Sequence, residues 1–317
     1  MNMFSIARKL RKAGVLGINQ RNAEFTLVYN DRCRYPLVDD KARTKLLAEQ
    51  SGIAVPELYG MIEIERQVRD LPAIVEPYSD FVIKPARGSG GSGILVIAGH
   101  GSGQYRLING DMLSESDLHH HVSNILNGAY SLGGQLDKAL IEYRVHFDQV
   151  FRHIAFRGIP DIRIIVFLGV PIMAMVRLPT SMSDGKANLH KGAIGAGIDI
   201  ASGKTLTAVI RNEIITKHPD TENSVTDVQV PNWDSLLDIA SRCYELTGLG
   251  YQGVDIVLDE KLGPLMLEIN ARPGLNIQIA NRAGLLLRLH QVQQNLDRLR
   301  TTEQRIDFAR QHFAHVQ

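Results

Sequence analysis

The chain has 317 residues, 44% of them hydrophobic and 22% charged, with a formal net charge of +1. That balance suits a folded protein of two or three lobes and gives no argument for nucleic acid or an acidic membrane as partner. Two cysteines, Cys33 and Cys243, are too few for a disulfide framework or a thiolate metal site, so a reducing cytosol is expected; no apolar run approaches the roughly twenty residues a membrane helix needs.

In chain order, "MNMFSIARKLRKAGVLGINQ" carries a basic cluster without the continuous apolar centre of a signal peptide. Ile6, Leu10 and Ala13 predict a short helix there, and "EFTLVYN" predicts a strand. "DDKARTKLLAEQSGI" predicts a helix opened by Asp39 or Asp40 and closed at Gly52. "DFVIKPARGSGGSGILVIAG" reads as strand, Gly-rich loop and strand, and "SESDLHHHVSNILNGAY" as a helix capped by Ser or Asp. Strands follow at "KALIEYRV" and, after a basic aromatic connector, at "DIRIIVFLGVPIMAMVRL". A long loop, "PTSMSDGKANLHKGAIGAG", leads to a helix, "NWDSLLDIASRCYELTGL", a hairpin, and a charged C-terminal helix from roughly Asn281. Strands and helices mixed with many hairpins predict an α+β protein.

The hairpin is "YQGVDIVLDEKLGPLMLEIN", with "DEKLGP" as its turn. Folded symmetrically about Lys261 and Leu262, it sets Asp255 opposite Glu268, with Asn270 one pleat further along the same face. Two facing carboxylates repel unless a cation lies between them. Two carboxylates and an amide oxygen are hard ligands that suit Mg²⁺, an ion that completes its shell with water and substrate phosphates. The trio therefore predicts a nucleotide.

"RGSGGSG" supplies a place for phosphates: Gly88, Ser89, Gly90, Gly91, Ser92 and Gly93, with Lys84 on the strand before them. The spacing fits a dinucleotide fingerprint only in letters, because a β-branched run follows where a helix is required. No Lys-Ser/Thr follows the last glycine, so it is not a Walker loop, and the later signatures of a protein kinase are missing. What remains is a glycine hairpin whose bare N–H groups can close over phosphate oxygens while Lys84 supplies charge.

Taken together, Lys41, "VIK" (82–84) with its Gly loop, "IEY" (141–143), "DIR" (161–163), "KANLHKGA" (186–193), "GVDI" (253–256) and "LEINARPG" (267–274) resemble the ATP-grasp superfamily. They look most like the RimK-type ligases, which add glutamate to a protein carboxylate, and among them the alpha-L-glutamate ligase-like proteins. The resemblance covers roughly Asp39 to Arg288. It implies an ATP-grasp fold of two α+β lobes gripping ATP under the Gly lid: a truncated N-terminal segment at 1–38, an N-lobe at 39–140 and a C-lobe at 141–317. It implies that Lys41 and Lys84 contact phosphates, that Glu142 and Tyr143 form the hinge where backbone reads the purine edge, and that Asp161 and Asn188 contact nucleotide. Arg163, Lys186 and Arg272 would serve the reaction centre, and Asp255, Glu268 and Asn270 would hold two magnesium ions, a role manganese can also fill.

The implied reaction joins a small-molecule, peptide or protein carboxylate to an amine, with other phosphoryl transfer or a nucleotide-binding regulator as rivals. Only 40 residues precede Lys41, so a second copy or a partner protein is a candidate to complete the acceptor site. Lys186 stands where the RimK pattern has arginine. The connector "VHFDQVFRHIAFRGIPDIR" is longer than in those ligases, and its Arg152, His153 and Arg157 are candidates either for acceptor recognition or for a solvated linker. His119–His121 point to different sides of their helix, which argues against a metal cluster. His190 sits in the basic loop, where a structural hydrogen bond explains it equally well. Trp233, Leu236, Leu237, Ala240 and Tyr244 follow core spacing.

Overall fold

Strands of the computed structural model form two antiparallel sheets, and the structure describes residues 3–315 except 89 and 212. The chain divides into a smaller unit, Asp39–Leu46 with Val55–Val145, and a larger one, Met1–Val38, Leu47–Ala54 and His146–Gln317. Residues 3–38 thus belong to the larger unit, and its main segment begins at His146.

The smaller unit is built on β1 (Leu58–Ile62), β2 (Phe81–Pro85), β3 (Leu95–Gly101), β4 (Gln104–Leu107), β5 (Met112–Ser114) and β6 (Ala139–Glu142). Their order across the sheet is β1-β6-β2-β3-β4-β5. Phe81 and Ile83 alternate inward as strand period demands. The helix Glu115–Leu126 lays Leu118, Val122 and Ile125 into the same core cluster as those residues, Ile97 and Ile141. Ser114 and Asp117 cap that helix reciprocally, as the sequence leads one to expect. The helix Lys41–Gln50 is opened by Asp40, whose Oδ1 accepts from the Ala42 N–H (3.0 Å).

The larger unit is built on β7 (Asp161–Phe167), β8 (Val170–Leu178), β9 (Ile194–Ile198), β10 (Thr205–Ile210), β11 (Glu213–Ile215), β12 (Tyr251–Asp259) and β13 (Gly263–Asn270), in the order β11-β10-β9-β8-β7-β12-β13. Strands β7, β8 and β12 are buried almost end to end, which explains their near-continuous apolar runs. The helix Trp233–Thr247 packs on β7, β8, β12 and β13, and Thr302–Phe313 on β8.

Three expectations change. "EFTLVYN" is helical, not a strand, within Arg21–Thr26 and Leu27–Tyr29. Phe25 and Tyr29, four apart, both pack edge-on against Phe167 (centroids 5.7 and 4.9 Å), whereas a strand would have buried Leu27, which is exposed. The long loop ends early, because "AIGAGI" pairs as β9 and carries β10 and β11 beyond it. The C-terminal helix expected from about Asn281 is broken into Leu285–Gln293 and Thr302–Phe313, and a short helix, Ile277–Ala280, precedes it, with Arg282 in left-handed backbone (φ 49°) between.

Candidate active site

In the larger unit the functional side chains come from four adjacent strands. Asp255 lies directly across β12/β13 from Glu268 and across β12/β7 from Arg163, while Asp161 lies across β7/β8 from Arg177. Because period two keeps 161 with 163 and 175 with 177, these side chains share one face. The turn differs from the symmetric fold: Asp259 pairs with Gly263, leaving a three-residue loop. The ladder then shifts between Ile256–Met266 and Asp255–Glu268, so Leu267 is an extra, bulged residue that restores the pairing of the two carboxylates.

Asp255 is 2% exposed and fully engaged. Arg163 grips it with two bonds, Nε to Oδ1 at 2.7 Å and the terminal nitrogen to Oδ2, and Arg177 donates to Oδ2 at 2.8 Å. Arg177 also clamps both oxygens of Asp161. Asn270 Nδ2 approaches Asp255 Oδ2 (3.3 Å) and Glu268 Oε1 (3.2 Å), so the expected metal trio is brought to one point. Burial pushes both aspartates up. In Asp255 the two guanidiniums overcome it and hold the carboxyl down at about 2. In Asp161 burial outweighs Arg177, the charge of Asp255 adds to it, and the group rises to about 6. The aspartates thus titrate as a pair split to either side of the ordinary range.

Two carboxylates and an amide oxygen are donors of the kind magnesium takes, but guanidiniums hold both Asp255 oxygens here, and among the described residues no three Asp, Glu, His or Cys side chains form a metal-binding group. Three carboxylates against two guanidiniums leave one negative charge, and turning the Asn270 amide over would aim its oxygen at the same point. Arg177 was not singled out in the sequence. Its signal is there, since an arginine inside "PIMAMVRL" must be paired to be buried.

In the smaller unit Glu142, on β6, accepts from Lys84 on β2 (2.5 Å) and from Lys45, with all three side chains at most 8% exposed. Burial raises the Glu142 carboxyl, but the Lys84 and Lys45 ammonium groups more than cancel it and hold it below the carboxylate range. Lys45, four residues after Lys41 on the same helix face, is a second member that sequence reasoning missed. It also donates to the Pro56 carbonyl (2.5 Å). The Tyr143 N–H is committed to the Glu57 carbonyl (2.8 Å).

The glycine loop is tied at both ends. Lys41 Nζ donates to the Gly88 carbonyl (2.6 Å) and the Arg87 N–H to Asp137. At the other end His121 Nε2 meets the Gly93 carbonyl (3.0 Å) and Tyr130 packs where a Gly93 side chain would stand. Gly90, Gly91 and Gly93 all take left-handed backbone, which explains their residue type. Ser89 lies outside the described residues; Ser92 is exposed.

Other expected residues lie elsewhere in the larger unit. Lys186 pairs with Asp184 (3.5 Å), and Asn188 Oδ1 accepts the His190 N–H, capping a short turn. Arg272 is exposed and stacks over the Tyr35 ring at 5.1 Å. In the connector, Phe151 and Ile154 are buried and Arg152 pairs with Glu260 (3.2 Å). Among the described residues no helix is long and apolar enough to cross a membrane.

No curated protein matches this sequence. Among solved structures, the ATP-grasp ligase PsnB complexed with minimal precursor is similar at 17% identity and a TM-score of 0.44, over 83% of this chain and 61% of that one. The D-cycloserine synthetase DcsG is similar at 18% identity and a TM-score of 0.47, over 84% and 72%. D-alanyl-alanine synthetase A from Vibrio cholerae is similar at 11% identity and a TM-score of 0.48, over 83% and 65%. The chain therefore spans about three fifths of the length of PsnB. The sugar-transfer associated ATP-grasp family matches residues 20–294, and with that match over most of its length this chain belongs to that family and has the ATP-grasp fold.

Proposed function

We propose that the chain is an ATP-dependent carboxylate–amine ligase. The observation that carries this reading is the one-faced array of Asp161, Arg163, Arg177, Asp255, Glu268 and Asn270, which puts cation ligands and anion-binding guanidiniums side by side. Asp255, Glu268 and Asn270 would hold two magnesium ions, with manganese able to substitute. Bound there, the metal would offset phosphate charge and act as a Lewis acid on the transferring phosphoryl group. Lys41, Lys84 and the N–H groups of the glycine loop would bind phosphates. Glu142 orients the two ammonium groups it accepts from, and the backbone of 142–143 is the proposed purine contact, through groups other than the committed Tyr143 N–H.

In this reading an acceptor carboxylate oxygen attacks the γ-phosphorus, forming an acylphosphate while the bond to the β–γ bridging oxygen breaks and ADP leaves. An amine then attacks the acyl carbon and gives up a proton, and phosphate departs. Arg163 and Lys186 would stabilise the growing negative charge, and Asn188, on the same loop as Lys186, would contact nucleotide. Glutamate is the proposed amine, on the RimK-like motif order, and a peptide or small-molecule acid the proposed acceptor. The test is mass spectrometry of acid and amine mixtures incubated with ATP and Mg²⁺. One amide formed per ADP released is the expected result, and ADP release that no acid or amine stimulates would remove the ligase assignment.

A further inference from the structure

Nine buried side-chain polar atoms lack a hydrogen-bond partner among the described residues, and three of them, Arg21 Nε, Tyr35 OH and Tyr251 OH, are donors on side chains close enough for both tyrosines to act on Arg21 electrostatically. An unsatisfied buried donor costs about 1–3 kcal/mol, so a cluster of them in one place asks for a ligand. From this we infer that Arg21, Tyr35, Tyr251 and Arg272 form an oxyanion-binding pocket on the site face of the larger sheet.

The pocket is built rather than incidental. Arg21 is 8% exposed, opens the π-helical turn Arg21–Thr26, and spends one terminal nitrogen on the Pro273 carbonyl (2.8 Å), leaving Nε unused. Tyr251 is fully buried and stands on the same face of β12 as Asp255, roughly 13 Å away along the strand. Gly253 lies between them. A side chain there would meet Pro273 at 2.6 Å, so its absence lets the turn after β13 lie against the strand and carry Arg272 in. Asn30 locks the arrangement by bonding to Tyr251 and to the Ala271 carbonyl. Arg272 stacks over Tyr35, and Arg21 is close enough to Tyr251, Arg272 and Tyr35 for each to act on it electrostatically. Burial first, and the like charge of Arg272 after it, depress the Arg21 guanidinium, which an anion would relieve.

Two guanidiniums and two phenolic donors suit a carboxylate or a phosphate. Tyr251 stands roughly 13 Å along β12 from Asp255, so the anion belongs to a part of the acceptor remote from its reacting end. That last assignment rests on the ligase reading; the pocket itself does not.

The test is calorimetric titration of the full chain with inorganic phosphate and, separately, succinate, without nucleotide. One of the two should bind, naming the class of anion. Tyr35→Phe and Tyr251→Phe should each weaken that binding about three- to tenfold, and Arg272→Gln by about tenfold or more. The two Phe variants should melt no lower than wild type without anion, because each loses only an unsatisfied hydroxyl. Failure of both anions to bind, wild-type affinity in the Phe variants, or a lowered melting point in either would overturn the pocket. Acceptor-dependent ATP turnover, measured beside it, decides the ligase reading separately.

Discussion

In the smaller unit Glu142 stands between Lys45 and Lys84, while in the larger unit Arg163 and Arg177 stand among Asp161, Asp255 and Glu268. Both clusters bury charge by pairing it, yet they leave opposite remainders. Two ammonium groups against one carboxylate leave a positive charge, suited to phosphate. Two guanidiniums against three carboxylates leave a negative one, suited to a cation. The comparison teaches that these pairs are better understood as preorganised fields than as sources of stability, since burying an ion pair gains little net energy while breaking one is costly.

The largest effect should come from Asp255→Asn. It takes the counter-ion from two buried guanidiniums, so stability in urea should fall by about 3–5 kcal/mol, along with turnover. An unchanged urea midpoint would mean that the arginines do not depend on this carboxylate. Glu142→Gln should cost a similar amount, about 3–5 kcal/mol, by orphaning two ammonium groups, and adding Lys45→Met should recover part of it. If the double variant were no more stable than Glu142→Gln alone, Lys45 would not belong to the cluster.

Glu142 and Lys84, and Asp161, Arg163, Asp255, Glu268 and Asn270, all singled out in the sequence, come together in the two clusters, while Lys45 and Arg177 were not singled out. Asp255 opposite Glu268 follows from period two together with a turn folded symmetrically about Lys261 and Leu262, although the real turn is shorter and the Leu267 bulge makes up the difference. Arg177 hid inside an apolar strand and Lys45 inside an ordinary helix, because a buried charge announces itself only once its partner is placed. The helix at residues 21–29 was illegible for a different reason: Phe25 and Tyr29 have strand-forming side chains, and only Phe167, distant in sequence, decides which period they follow.

A third effect is pH dependence, which should differ between the two aspartates. Asp161, raised to about 6, favours folding while protonated, so its contribution falls as pH rises from about 4 through 6. Asp255, held at about 2, contributes above about pH 4 and loses that contribution as pH falls toward 2. Relative to Asp161→Asn, wild type should therefore lose up to about 3 kcal/mol between pH 4 and 6 in denaturant unfolding. A difference constant across that range would contradict the split. The smallest effect belongs to the glycine loop. His121→Ala should remove one hydrogen bond, about 1 kcal/mol, and speed amide exchange across residues 90–94 by up to about tenfold. Unchanged exchange would show that His121 does not tether the loop.

The central claim, that the negative remainder of the larger cluster exists to hold a cation during chemistry on ATP, is tested most directly by Glu268→Gln. Glu268 is half-buried and its charge acts on Arg177, but Arg177 keeps its bonds to Asp161 and Asp255 when Glu268 is neutralised, so the fold should survive the change. Acceptor-dependent ATP turnover, titrated with Mg²⁺, should drop about 10²–10³-fold at an unchanged melting temperature. Wild-type turnover at modest Mg²⁺ in this variant would contradict the account.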